Sequence, residues 1–90
     1  MPDFDFHVLL ERQGDRIHVS CKDLPELLTF GNDEADALAS AEDALGVVLL
    51  EYLRTGKPIP TVRSKRGRRI EPSSAYADDL AAAVSQVEAA

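Results

Sequence analysis

The stretch from Asp23 to Pro60, DLPELLTFGNDEADALASAEDALGVVLLEYLRTGKPIP, decides the fold of this chain. Pro25 removes a backbone hydrogen-bond donor, so residues 23–26 predict a corner and residues 27–30 predict a short strand. The long amphipathic run that follows predicts a helix. Because two alternating segments precede the stretch, we expect a βββα unit with a fourth strand after it.

Both ends of the predicted helix carry recognised signals. Gly31 lets the chain turn, and Asn32 or Asp33 can cap the helix by accepting a hydrogen bond from a backbone N–H of its first turn. Gly56 and Pro58 end it. Apolar residues follow steps of three, four and one, which predicts a core-facing stripe made of Leu38, Ala41, Leu45, Val48, Leu49, Tyr52 and Leu53.

A β-hairpin is predicted before the corner, since apolar and polar residues alternate along residues 4–10 and again along residues 17–21. A turn centred on Gln13 and Gly14 places the apolar residues of both strands on one face. That register pairs Leu10 with Ile17, Val8 with Val19 and Phe6 with Cys21. On the other face it places His7 opposite Ser20 and Leu9 opposite His18.

Two large apolar helix residues, Val47 and Leu50, point away from the predicted stripe, on the side of Asp43 and Arg54. An adjacent apolar pair on a polar face needs a cover. Two alternatives stay open: the C-terminal segment folds over both residues, or they form part of an interface with a partner protein.

The C-terminal third predicts two further elements. Residues 69–71 can add the fourth strand. From Ser74 onward an Ala-rich helix is expected, capped by Ser73 or Ser74, with one apolar face made of Tyr76, Leu80, Val84 and Val87. The expected domain organisation is therefore residues 1–71 as a βββαβ domain and residues 72–90 as a helical tail.

The charge is unevenly spread along the chain. The formal net charge is −6, with twelve acidic and five basic residues in residues 1–60, and four acidic and five basic residues in residues 61–90. The acidic body should repel nucleic acid and attract a basic protein.

One basic segment could meet phosphate: its members are Arg63, Lys65, Arg66, Arg68 and Arg69. It lacks interleaved aromatic residues for stacking on bases and lacks a defined recognition helix. Two other interpretations stay open for it. The bases can form a solvated loop and strand edge, or they can pair with the acidic body of the same chain.

Catalytic and metal-binding patterns are not found in the sequence. His7 and His18 share a sheet face near Asp5, but no second carboxylate or cysteine completes a metal site. The single cysteine, Cys21, is assigned to the core, and the chain has no phosphate-binding Gly motif. We expect no catalysis, no metal and no cofactor. The chain also lacks a run of membrane-spanning length and the basic start of a signal peptide, so a cytoplasmic location is expected.

These elements, in this order, resemble the HicB antitoxin family, whose members are partners of the messenger-RNA-cleaving HicA toxins. The resemblance covers residues 4–60. It is carried by the aromatic first strand, Phe4 to Leu10; the corner Asp23-Leu24-Pro25; the turn Gly31-Asn32-Asp33-Glu34-Ala35; and the exit Pro58-Ile59-Pro60.

The resemblance implies an α+β fold: a degenerate RNase-H-like βββαβ domain without the active-site acids of RNase H, here followed by a short C-terminal helix. It also implies a complex with a small basic toxin. Family members usually continue into a helix-turn-helix or ribbon-helix-helix domain that binds their promoter. The nineteen residues from Pro72 to Ala90 cannot hold a helix-turn-helix, so operator DNA binding is not expected of this chain as given.

The sequence thus supports one leading hypothesis and two rivals. The leading hypothesis is an antitoxin-like protein that masks the RNA-binding surface of a HicA-type toxin. Its candidate contacts are the acidic helix face with Asp43, Val47 and Leu50, and the outer sheet face with His7, Leu9 and His18. The rivals are a nucleic-acid-binding regulator acting through residues 63–69 and a stand-alone oligomerisation domain.

Overall fold

A computed structural model describes residues 5–60, 62–63 and 65–89 of the chain. The fold is α+β, as the sequence predicts. Its elements in chain order are β1 (Phe6–Gln13), β2 (Arg16–Ser20), β3 (Leu28–Gly31), α1 (Glu34–Thr55), β4 (Arg68–Ile70), a 3₁₀ turn (Ser74–Tyr76) and α2 (Ala77–Ala89). The likeness to RNase H implied by the family resemblance stays a prediction.

The four strands form one antiparallel sheet in the order β3-β2-β1-β4. The fourth strand pairs with β1, with Phe6 opposite Ile70 and Val8 opposite Arg68. The predicted fourth strand is therefore present, and it begins and ends one residue earlier in the chain than predicted. β3 and β4 are the two edges of the sheet.

The predicted hairpin register is wrong by two residues. Leu10 lies opposite Val19 and Arg12 opposite Ile17, and the turn consists of Gly14 and Asp15. Gly14 has a φ of 65°, as the first central residue of a two-residue type II′ turn requires. Gln13 therefore stays in the strand. Because the error is an even number of residues, the faces are still assigned correctly.

The helix caps form where the sequence places them. Of the two candidate caps, Asp33 caps α1: its side chain accepts a hydrogen bond from the N–H of Asp36 at 2.8 Å. Gly56 ends α1 in the left-handed conformation, and the N–H of Lys57 donates to the Tyr52 carbonyl at 2.9 Å. This arrangement satisfies a carbonyl that the helix end would otherwise leave unpaired.

Gly31 has a different role from the expected one. Its φ is not positive, but a Cβ at this position would lie 2.2 Å from the backbone nitrogen of Ala37. Gly31 is therefore required because the first turn of α1 lies directly against β3. Only a residue without a side chain allows this approach.

The core lies between the inner face of the sheet and α1. Three stripe residues, Ala41, Leu45 and Leu49, are fully buried. The remaining predicted stripe residues, Leu38, Val48, Tyr52 and Leu53, are partly buried and pack against the core. The sheet, the corner and β4 contribute buried side chains that include Phe6, Val8, Ile17, Val19, Cys21, Leu24, Leu27 and Ile70.

The C-terminal segment covers Leu50 and leaves Val47 open. Leu50 is 6% exposed and lines one hollow with Ala82 and Ala83 of α2. Val47 is 53% exposed. The tail therefore covers Leu50 and leaves Val47 exposed, and the role of Val47 in an interface with a partner protein stays a prediction.

The tail is held against α1 by close packing. Leu80 and Val84 of α2 are buried, as the apolar face of the tail predicts. A Cβ on Gly46 would lie 2.5 Å from Cδ2 of Tyr76, so this glycine makes room for the 3₁₀ turn. The side chain of Val87 lies outside the described part of the chain.

We predict that Leu50→Ala and Val47→Ala differ sharply in their effect on stability. Leu50→Ala should lower the free energy of unfolding by about 2–5 kcal/mol because it leaves a cavity beneath α2. Val47→Ala should change it by no more than about 0.5 kcal/mol. Urea unfolding of both variants tests this, and equal losses would contradict the packing of the tail on α1.

Candidate functional site

The exposed side of α1 carries two carboxylates around an apolar residue. Asp43, Val47 and Glu51 are spaced four residues apart, so they lie on one side of the helix, and all three are exposed. We call these three residues the acidic face. Arg54 lines a hollow with Leu50 and Asp79, and because it follows Glu51 by three residues it also borders the acidic face. The acidic face therefore presents two carboxylates on either side of the exposed apolar side chain of Val47.

A groove adjoins the acidic face, between α1 and the entry to β3. Its volume is about 270 Å³, and it is lined by Glu26, Val47, Val48, Glu51, Tyr52 and Lys57. The Tyr52 hydroxyl donates a hydrogen bond to Oε2 of Glu26 at 2.5 Å. The ammonium of Lys57 lies 5.7 Å from the centre of the Tyr52 ring. The groove thus combines two carboxylates with an aromatic face, which are groups that bind cations.

The hydrogen bond in the groove shifts the pKa values of both Glu26 and Tyr52. The Tyr52 hydroxyl lowers the pKa of Glu26, and the same bond raises the pKa of Tyr52. A hydrogen bond donated to a carboxylate favours its charged form. Glu26 is therefore an anion at neutral pH, and Tyr52 stays a neutral donor.

The outer sheet face, opposite α1, holds the second set of predicted contacts. Leu9 lies opposite Ser20, and His18 lies opposite Glu11 rather than Leu9, because of the shifted register. His7 lies opposite Arg69 instead of Ser20. Nδ1 of His7 is buried and finds no hydrogen-bond partner among the described residues.

Two residues that the sequence reasoning did not select dominate the outer sheet face. Leu28 is 71% exposed and Phe30 is 48% exposed. The guanidinium of Arg16 lies 4.6 Å from the centre of the Phe30 ring, and the His18 ring lies 6.2 Å from it. The signal was present: Leu27 is a core residue, so the alternation of a strand turns Leu28 and Phe30 outward.

The structure places part of the basic segment in contact with acids of the same chain. Arg68 forms an ion pair with Glu34, and Arg69 forms ion pairs with Asp5 and Glu71. The hydrogen bond to Asp5 is the main reason that the pKa of Arg69 is raised. For Arg68 and Arg69 this is the third alternative considered above, pairing with the acidic body.

The rest of the basic segment is exposed. The backbone N–H of Arg63 donates to the Asp23 carboxylate at 3.1 Å, and the side chains of Arg63, Lys65 and Arg66 face solvent. Thr61 and Ser64 lie outside the described residues. Two of the five bases, Arg68 and Arg69, are therefore already paired with acids, and the other three are exposed.

Cys21 lies in the core, where burial raises the pKa of its thiol. A raised pKa keeps the thiol protonated and weakly nucleophilic. Within the described ranges, no group of three or more His, Cys, Asp or Glu side chains is arranged to hold a metal ion. No described helix has the length and hydropathy of a membrane-spanning segment.

Comparison with known proteins identifies one protein family to which the chain is similar. A family model described as "HicB_like antitoxin of bacterial toxin-antitoxin system" matches residues 4–85. The match extends beyond residues 4–60 and includes β4 and most of α2. Among curated proteins, none matches the chain.

We predict that Tyr52→Phe raises the pKa of Glu26 toward the ordinary value of a glutamate. Since the pKa of Glu26 is lowered in the folded protein, its stabilising contribution is present at neutral pH and is lost as the pH falls through that pKa. The stability difference between the two proteins should therefore shrink in acid. An NMR titration of the Glu26 carboxyl carbon measures the shift directly.

Lys57→Ala is the matched control for this titration. The charge of Lys57 also lowers the pKa of Glu26, but it is a smaller cause than the hydrogen bond. The Lys57→Ala variant should therefore raise the pKa of Glu26 less than Tyr52→Phe does. An unchanged Glu26 pKa in Tyr52→Phe would show that the hydrogen bond does not persist in solution.

Proposed function

Because the chain belongs to the HicB-like antitoxin family of bacterial toxin–antitoxin systems, we propose that it binds and neutralises a HicA-type toxin that cleaves RNA. The chain covers the cationic surface with which the toxin holds RNA. It does so as a binding protein, without catalysis of its own. Since the RNA target of such a toxin is cytoplasmic, we place the complex in the cytoplasm.

The observation that carries this proposal is the exposed acidic face of α1 with its central apolar residue. A protein that binds RNA needs cationic side chains, because phosphate contacts supply most of the affinity. Asp43 and Glu51 offer the complementary charge, and the groove adds the ionised Glu26. Complementary charge accelerates association, and burial of Val47 in the interface slows dissociation.

The contact surface that we propose differs from the predicted one in two ways. Leu50 is not part of it, since α2 covers this residue. The outer sheet face lies on the opposite side of the sheet from α1, so a flat partner cannot cover His7, Leu9, His18 and the acidic face together. We therefore assign first contact with the toxin to the acidic face and the groove.

The nucleic-acid-binding alternative has less support from the geometry. Binding phosphate through Arg68 and Arg69 requires breaking ion pairs with Glu34, Asp5 and Glu71. The net charge of −6 also opposes the approach of a polyanion. We therefore propose that Arg68 and Arg69 serve as ion-pair partners of acids in the same chain rather than as phosphate ligands.

We predict that charge reversal on the acidic face weakens toxin binding in a salt-dependent way. The double variant Asp43→Lys/Glu51→Lys should bind a HicA-type toxin encoded beside this chain's gene about tenfold or more weakly at low salt. The loss should shrink as salt screens the charges. Surface plasmon resonance at several salt concentrations separates the association rate from the dissociation rate.

The matched control is Glu11→Lys/Asp15→Lys, which changes the net charge equally on the hairpin, away from α1. Both of its positions are exposed. It should lower the association rate only slightly. Equal losses in the two double variants would show that net charge, and not the acidic face, determines binding, and no binding by the unaltered chain would refute the proposed function.

A further inference from the structure

The two edges of the sheet are built differently. The β4 edge carries Arg68 and Arg69, and charged side chains on an edge strand discourage pairing with another strand. The β3 edge reads Leu-Thr-Phe-Gly, with neither a charge nor a proline. In the part of the chain that the structure describes, β2 is the only strand paired with β3. β3 thus has neither a charge nor a proline to protect its edge, and its short length of four residues is the protection it does have.

The surroundings of the β3 edge define what a neighbouring strand would meet on each side. On the outer side it would meet Leu28 and Phe30, which are exposed and apolar. On the inner side it would meet the groove, where Glu26 at the entry to β3 is tied to Tyr52 of α1 and Glu51 lies beside them. The outer side of the edge therefore carries two exposed apolar side chains, with the Arg16 guanidinium over Phe30, and the inner side carries two carboxylates beside the ammonium of Lys57.

We infer that a strand of the toxin adds to the free edge of β3, with apolar side chains against Leu28 and Phe30 and cationic side chains in the groove. This inference rests on the proposed function and specifies how the partner docks. Successive side chains of a strand point to opposite faces, so the added strand must alternate basic and apolar residues. Backbone hydrogen bonds supply affinity, and the two sets of side-chain contacts supply specificity.

A cationic partner fits this edge better than a second copy of the chain. Pairing β3 with β3 of another copy would bring two grooves, each with Glu26 and Glu51, toward each other. Like charges in contact oppose such a pair. The ammonium of Lys57 already lies over the Tyr52 ring in this groove, so a cationic side chain of the partner would bind at the carboxylates of Glu26 and Glu51.

The test uses the full chain and two blocked hexapeptides of equal composition. One peptide alternates lysine and valine, and the other has three lysines followed by three valines. NMR-detected hydrogen exchange then reports on each backbone N–H of β3. The alternating peptide should slow exchange about tenfold or more at the β3 amides that face the free edge, apart from Leu28, whose N–H already donates to the Glu26 carbonyl at 3.1 Å. It should also bind more tightly than the block peptide.

Three results would overturn strand addition. In the first, both peptides bind equally well, changes in NMR chemical shift are confined to Asp43, Val47 and Glu51, and hydrogen exchange in β3 is unchanged. The second is no binding of the alternating peptide at about millimolar concentration. The third is a dimer of the chain alone, seen by light scattering, with the edge amides of β3 already protected. The proposed function is measured separately by toxin binding and survives any of these results.

Discussion

The position of α1 on the sheet determines what the molecule can present to a partner. At one end, the absence of a side chain at Gly31 lets the first turn of α1 contact β3, where a Cβ would lie 2.2 Å from the Ala37 nitrogen. Toward the other end, the Tyr52 hydroxyl is bonded to Glu26 at the entry to β3. These two contacts hold α1 along the edge strand. They leave the acidic face turned toward solvent and place the groove beside the free edge.

The distribution of charge follows from the same arrangement. The acidic surplus of the first sixty residues is partly neutralised by β4, whose arginines pair with Asp5 and Glu34. Exposed ion pairs of this kind contribute little to stability, about 0–1 kcal/mol each. Their consequence here is to remove positive charge from the surface available to a partner. The exposed carboxylates around Val47 are the charges that we propose interact with a cationic protein.

The sequence predicts those parts of the fold that local chemistry determines. Asp33 and Gly56 mark the ends of α1 because a cap needs an acceptor and a helix end needs a left-handed residue. The hairpin register was missed by two residues, since both candidate turns contain Gly14 and preserve the buried face. Local pattern alone could not choose between them.

The candidate site depends on tertiary packing and was therefore predicted only in part. Helical periodicity placed Val47 and Leu50 outside the stripe, but only the position of α2 shows that one is covered and the other open. Leu28 and Phe30 look like core residues in an apolar run. Strand alternation turns both side chains away from α1, but only the structure shows that no described element covers them on that face.

The central claim is that the chain occupies the same toxin surface as RNA. The most direct test mixes a catalytically inactive HicA-type toxin with a fluorescently labelled RNA and titrates in this chain while following the anisotropy. The chain should displace all of the RNA once it has saturated the toxin, and no ternary complex should form. A stable complex containing toxin, RNA and this chain together would contradict it.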